Sequence, residues 1–161
     1  MSDRGGEPAA RLAALEARAE VQEMLARYVR AVDAADLGAI TDIFAPEIVW
    51  DSPGRVRLEG IEAVAEYYAN WFSSPYRDTR HHVTNLAIEV GAGGEEAHVE
   101  SYYLELASYG ELSIVGYGNY RDECQLDGGR WRILRKEVEV LGLARVDQGW
   151  AGGMFTPEHA Q

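Results

Sequence analysis

The chain has little of several things that would each point to a function. It carries one cysteine, Cys124, so an internal disulfide framework is excluded and a reducing, cytoplasmic setting is expected. Its four histidines show no HxH or HxxxH spacing and no cysteines cluster with them, so a metal site is not expected. Basic residues number 15 against 27 acidic, a net charge of −12. That balance argues against a grip on nucleic acid or anionic lipid. No apolar run approaches the length of a membrane span, and the opening MSDRGGEPAAR has no signal-peptide hydrophobic centre. GxGxxG, Walker and GxSxG motifs are missing too, as are internal repeats, and no cofactor is expected.

What is present is the ordinary composition of one globular domain: 161 residues, 47% apolar and 26% charged. A short leader, residues 1–10, precedes RLAALEARAEVQEMLARYVRAVD, where Val21, Leu25, Tyr28 and Val32 form one helical stripe. Asp36 is placed to cap a short second helix, LGAITDIFA, which Pro46 would follow. Two strands, EIVWD and RVRLEG, flank an SPG turn, and IEAVAEYYANWF reads as a third helix. From Arg80 the period changes to two, giving four long strands separated by GAGGE, GE and DGG. Helices first and antiparallel strands afterwards mean α+β, with helices packed on one face of a curved sheet. The domain is expected over residues 11–145. The tail 146–161 carries Trp150, Met154 and Phe155 and is expected to act as a pocket lid or subunit contact.

The stretch TRHHVTN places His81 and His82 side by side at a strand start. Adjacent strand residues point to opposite faces, so the two cannot share a cavity or a metal. Cys124 sits among acidic residues that would raise its pKa, which leaves general acid–base work by a histidine as the chemistry open to this chain. On the residues alone, either histidine could equally be a hydrogen-bonded strand residue. His98 and His159 are expected at the surface and in the tail.

Four stretches, YVRAVDAADLGAITDIFAPEIVWD, RHHVTNLAIEV, GYGNYRDECQLDGGRWRI and MFTP, resemble the SnoaL-like branch of the nuclear-transport-factor-2-like superfamily. That group is similar to a cone-shaped α+β barrel of helices on a curved, mostly antiparallel sheet. It includes scytalone dehydratase, a bile-acid dehydratase and hexachlorocyclohexane dehydrochlorinase. The resemblance implies a catalytic pair of Asp33 and His81, with His82 structural. The residue five before the aspartate, Tyr28, matches the bile-acid enzyme. Asn119 falls on a substrate-binding Asn, and Tyr117 and Arg121 share its face by alternation. Ser52 and Ser101 stand where the fungal dehydratase carries a pocket Tyr and a second pocket His. Trp50, Trp71, Phe72 and Tyr103 are read as apolar core or pocket wall.

The function this implies is a cofactor-independent lyase of the dehydratase type. His81, held by Asp33, would abstract a proton, and Tyr28 with Asn119 would donate hydrogen bonds to the developing oxyanion or leaving group. Trp50, Ser52, Ser101, Tyr103, Tyr117 and Asn119 would bind a small, ring-containing, mostly apolar substrate. An isomerase or polyketide cyclase using the same dyad, and a non-catalytic ligand-binding domain, are the rival readings. Neither nucleic acid nor membrane is an expected partner. Self-association as a trimer or dimer is expected.

Overall fold

In a computed structural model, residues 6–149 are described. Helix α1 (Gly6–Asp33) is followed by α2 (Leu37–Ile43), the hairpin β1 (Phe44–Ser52) and β2 (Val56–Glu59), and α3 (Ile61–Phe72). Four long strands complete the order: β3 (Tyr76–Val90), β4 (Glu96–Tyr109), β5 (Leu112–Asp127) and β6 (Arg130–Arg145). They form one open, curved sheet in the order β2-β1-β6-β5-β4-β3, parallel at β1/β6 and antiparallel elsewhere. The fold is therefore the expected α+β arrangement.

Three boundaries fall elsewhere than the sequence suggests. Helix α1 begins at Gly6, inside the stretch read as a leader. Phe44 and Ala45 belong to β1 rather than to α2, and Pro46, which cannot donate to a ladder, lies where the register with β6 shifts. Strand β3 begins at Tyr76, four residues before Arg80. Trp150, Met154, Phe155 and His159 lie outside the described residues, as does the docking expected of the tail.

The apolar stripe of α1 covers the inner face of the sheet with Ala17, Val21, Met24, Leu25, Tyr28, Ala31 and Val32, all buried. Each large member contributes roughly 1.5–3 kcal/mol by leaving water. From α3, Val64 and Tyr68 pack onto the same core. On β4 the alternation is clean, with Ala97, Val99, Ser101 and Tyr103 facing in and Tyr102 and Leu104 facing out. On β3, bulges interrupt the alternation where Asp78 and Asn85 adopt φ of 55° and 56°. Asp and Asn tolerate that left-handed region best after glycine. Each bulge adds a residue and bends the strand. Thr79, His81 and Val83 face in between the two bulges, and Leu86 and Ile88 face in beyond the second. Among the described residues, no helix is long and apolar enough to cross a membrane.

The chain's single lysine, Lys136 on β6, is buried without any solvent exposure. Its Nζ donates to Asp122 Oδ1 at 3.0 Å, directly across the β5/β6 ladder. It also lies 4.3 Å from the ring centre of Tyr28 and 3.9 Å from that of Tyr120. Burial pushes the Asp122 carboxyl up, and the neighbouring ammonium draws it back. Two aromatic faces and one carboxylate thus replace the water that the ammonium has lost. Lys136→Met, which strands the Asp122 carboxylate, is expected to cost about 3–5 kcal/mol in urea denaturation. Adding Asp122→Leu should recover most of that loss. An intact stability in Lys136→Met would show that the pair is not held as described.

Candidate active site

Asp33 is the last residue of α1, and the chain turns sharply after it. Asp36 N–H donates to Ala31 O at 2.9 Å and Ala35 N–H to Val32 O at 3.0 Å, the double closure of a Schellman turn. Ala35 takes the left-handed position at φ 53°, where glycine is usual. This ending holds the Asp33 carboxylate over β3. Its Oδ1 accepts from His81 Nδ1 at 2.7 Å, and its Oδ2 accepts from the His81 backbone N–H at 3.1 Å. An ionised carboxylate can only accept, so Nδ1 carries the proton and Nε2 presents its lone pair. The His81 side chain is only 7% exposed, so these bonds lie largely out of water. His82 faces outward and is exposed.

Across the ladder from His81 stands Glu105 on β4. Its Oε1 lies 3.9 Å from His81 Nε2. The side chain is 14% exposed, and Oε1 is buried without a hydrogen-bond partner among the described residues. Burial pushes the Glu105 carboxyl up. His81 opposes that shift and Asp33 adds to it. The sequence reading missed this residue. Its signal was a charge in the inward register of β4, after Val99, Ser101 and Tyr103.

These groups open onto a cavity of about 790 Å³. Seven tyrosines line it, with Trp50, Trp71, Ser52, Arg55, His81 and Glu105 among the other wall residues. The hydroxyls of Tyr28 and Tyr68 are hydrogen-bonded to each other at 2.7 Å. Burial and the neighbouring Tyr68 hold the Tyr28 phenol far above its ordinary ionisation range. Ser52 donates to Val138 O at 2.9 Å, which commits its hydrogen to the β6 backbone. Tyr103 stacks on Tyr120 with ring centres 4.5 Å apart. Phe72 packs against Tyr68 and Trp71 behind the wall.

The remaining expected positions lie elsewhere. Ser101 is buried on the inner face, but it does not form part of the cavity wall. Asn119 and Tyr117 are turned to the outer face, because Tyr120, Asp122 and Cys124 set the inward parity of β5. Asn119 donates to Glu139 Oε2 at 2.9 Å, in a network where Arg121 pairs with Glu137 and Glu139. Tyr117 lies across Gly142, where an added Cβ would fall 2.3 Å from its ring. Gly116 and Gly118 hold the inward positions instead. A Cβ on Gly118 would meet the Glu139 carbonyl oxygen at 2.0 Å and the Tyr103 ring at 2.8 Å. Cys124 is buried, and burial followed by Asp122 pushes its thiol up, away from nucleophilic use. Among the described residues, no group of three or more His, Cys, Asp or Glu could hold a metal ion. Asp33 and Glu105 meet opposite nitrogens of the imidazole rather than converging on one point.

Residues 13–137 match the profile of the SnoaL-like domain family. In fold, the chain is similar to a hexachlorocyclohexane dehydrochlorinase of type 3 from Novosphingobium barchaimii LL02, with a TM-score of 0.73 at 24% identity over 91% of this chain and 99% of that one. It is also similar to a protein of Novosphingobium aromaticivorans DSM 12444 provisionally described as a scytalone dehydratase. There the TM-score is 0.77 at 20% identity, over 91% and 98% of the two chains. A protein of unknown function with a cystatin-like fold from Nostoc punctiforme PCC 73102 superposes with a TM-score of 0.64 at 22% identity, over 76% and 90%. A comparison with curated protein sequences found no match.

Two outcomes follow from this geometry. Long-range nitrogen–proton NMR should show neutral His81 protonated on Nδ1, and Asp33→Ala should mix the tautomers. A wild-type His81 protonated on Nε2 would contradict the pairing. The second concerns pH. A carboxyl raised in the fold contributes stability that is complete below its ordinary value of 4.5 and is lost as pH rises through the folded value. Glu105→Gln should therefore match wild type in acid and exceed it at neutral pH by on the order of 1 kcal/mol. A stability gap that does not change with pH would count against a buried, ionising Glu105.

Proposed function

The chain belongs to the SnoaL-like domain family, and on that premise we propose that it is a cofactor-independent lyase acting on a small ring-containing substrate. The observation that carries this reading is the pairing of His81 with two carboxylates on opposite ring nitrogens, opening onto an aromatic cavity. Asp33 fixes the tautomer and stabilises the imidazolium, so Nε2 is the base that takes a proton from carbon. The electron pair of that C–H bond becomes a new carbon–carbon π bond as the neighbouring C–O bond breaks. Glu105, whose carboxyl burial pushes up, gives a proton in its acid form to the departing hydroxyl, which leaves as water. The imidazolium proton then returns across the 3.9 Å gap to Glu105, and both groups are reset. In the Tyr28–Tyr68 couple one hydroxyl hydrogen is spent between the two oxygens, which leaves one to offer to the substrate. Asn119 has no part in this scheme because it faces away from the cavity.

Self-association belongs to the same proposal. The sheet exposes Tyr102, Leu104, Leu106, Tyr117 and Leu141, apolar side chains of the kind a second copy covers. Sedimentation should give a species larger than the monomer, and a monomer at all concentrations would sink this part.

The test of the chemistry is a panel of cyclic β-hydroxy ketones incubated in deuterated water and followed by mass spectrometry. Loss of water is expected, falling by about 10²–10⁴ in His81→Ala and by about 10² in Glu105→Gln. An isomer of unchanged formula carrying deuterium would identify proton transfer without expulsion. Turnover unaffected by His81→Ala would overturn His81 as the base, and binding of the panel without any turnover would return the chain to ligand carriage.

A further inference from the structure

The cavity has a second polar end. Arg55 lies on the turn between β1 and β2, where its backbone N–H donates to Ser52 O at 2.9 Å and closes the hairpin. Among the described residues it is the only lysine or arginine on the cavity wall. Tyr67, Tyr76 and Tyr103 line the same cavity as Arg55 and Glu105. Burial dominates the raised ionisation of all three phenols, and beyond it each senses both charges, Glu105 holding the phenol up and Arg55 easing it. One wall thus carries the His81 imidazole, the Glu105 carboxyl, a set of phenols and a guanidinium.

Proton abstraction from carbon places negative charge on whatever oxygen is conjugated with that carbon, and the charge needs a donor where it arrives. Asn119 faces outward, and the Tyr28–Tyr68 couple leaves a single neutral hydroxyl hydrogen to offer. We propose that Arg55, with hydroxyls of Tyr67, Tyr76 and Tyr103, is the oxyanion-binding and specificity-determining end of the cavity. Its substrate class is then a conjugated ring ketone whose oxygen lies at the hairpin while its acidic C–H lies at His81. This rests on reading His81 as the base. In the step, the C–H pair moves through the ring π system onto the oxygen and the proton goes to Nε2. When that pair returns, the C–O bond breaks, and the leaving hydroxyl takes the Glu105 proton. No oxidant or reductant is needed.

The probe is 4-nitrophenol, whose phenolate has its own visible absorbance, with nitrobenzene as the uncharged control. Arg55 is exposed on a turn, so its replacement leaves the core intact, and far-ultraviolet circular dichroism checks this. Wild type should bind the phenolate and make the bound probe ionise at lower pH than the free one. Arg55→Gln should weaken phenolate binding about tenfold, abolish that shift and leave nitrobenzene binding unchanged, whereas Arg55→Lys keeps part of both effects. Equal phenolate affinity in Arg55→Gln, equal loss of both probes, or no phenolate binding by wild type each overturns the proposal. Its failure is separable from that of the elimination reading. Arg55-dependent phenolate binding that persists in His81→Gln, without turnover of any ring ketone by wild type, sinks the elimination alone. Turnover of ring ketones that ignores Arg55→Gln sinks the oxyanion end alone.

Discussion

One carboxylate ties the two halves of this fold together. Asp33 ends a helix, and both its oxygens are spent on His81, one on the ring and one on the backbone N–H. The backbone bond pins the start of the inward-facing run of β3 to the end of α1. The ring bond then orients the imidazole toward the space the helix and strand enclose. Stability alone would not put a carboxylate there, since the C-terminal end of a helix dipole disfavours negative charge. Nor would it favour alanine at φ 53° two residues later. Both are local costs, and the tertiary contact to His81 offsets them.

A second consequence of that grip is electrical. Holding His81 on the inner face brings Glu105 opposite it by register, so two carboxylates share one imidazole in surroundings dominated by aromatic rings. In water such a group of charges would be unremarkable; here little solvent screens it. The energy of the arrangement sits in which members carry protons, and Glu105, the more poorly paired carboxylate, is the one pushed up. Tyr28 and Tyr120, set at 77° to each other, both face a buried ammonium, so the same rings line the cavity and cage a cation.

How much of this could be read from the sequence depended on the reach of each interaction. The helix of α1 was legible because its apolar stripe repeats over many turns, and the switch to period two marked the sheet. Asp33 and His81 were reachable through a family resemblance, although they stand 48 positions apart. Glu105 was not, because its role depends on a cross-strand register that only the folded sheet fixes. Asn119 and Tyr117 went to the wrong face for a related reason. A matched residue type does not fix the parity of β5, which Tyr120, Asp122 and Cys124 decide by their burial. The bulges at Asp78 and Asn85 could not be counted from alternation, since each is an irregularity in that very pattern. Arg55 reads as the first residue of a strand, whereas the structure places it on the turn before β2, and its reach to the cavity wall is a matter of side-chain direction alone.

The burial of Lys136 leaves the chain with an unusual chemical silence. Every other cationic side chain apart from the histidines is an arginine, so amine-directed chemistry finds no lysine on the surface to act upon. Acylating reagents and lysine-modifying enzymes alike would reach the one side-chain amine only after the β5/β6 ladder had opened. The fold therefore carries its own latch indicator: labelling of that nitrogen would count openings of the core, against a background free of any other lysine.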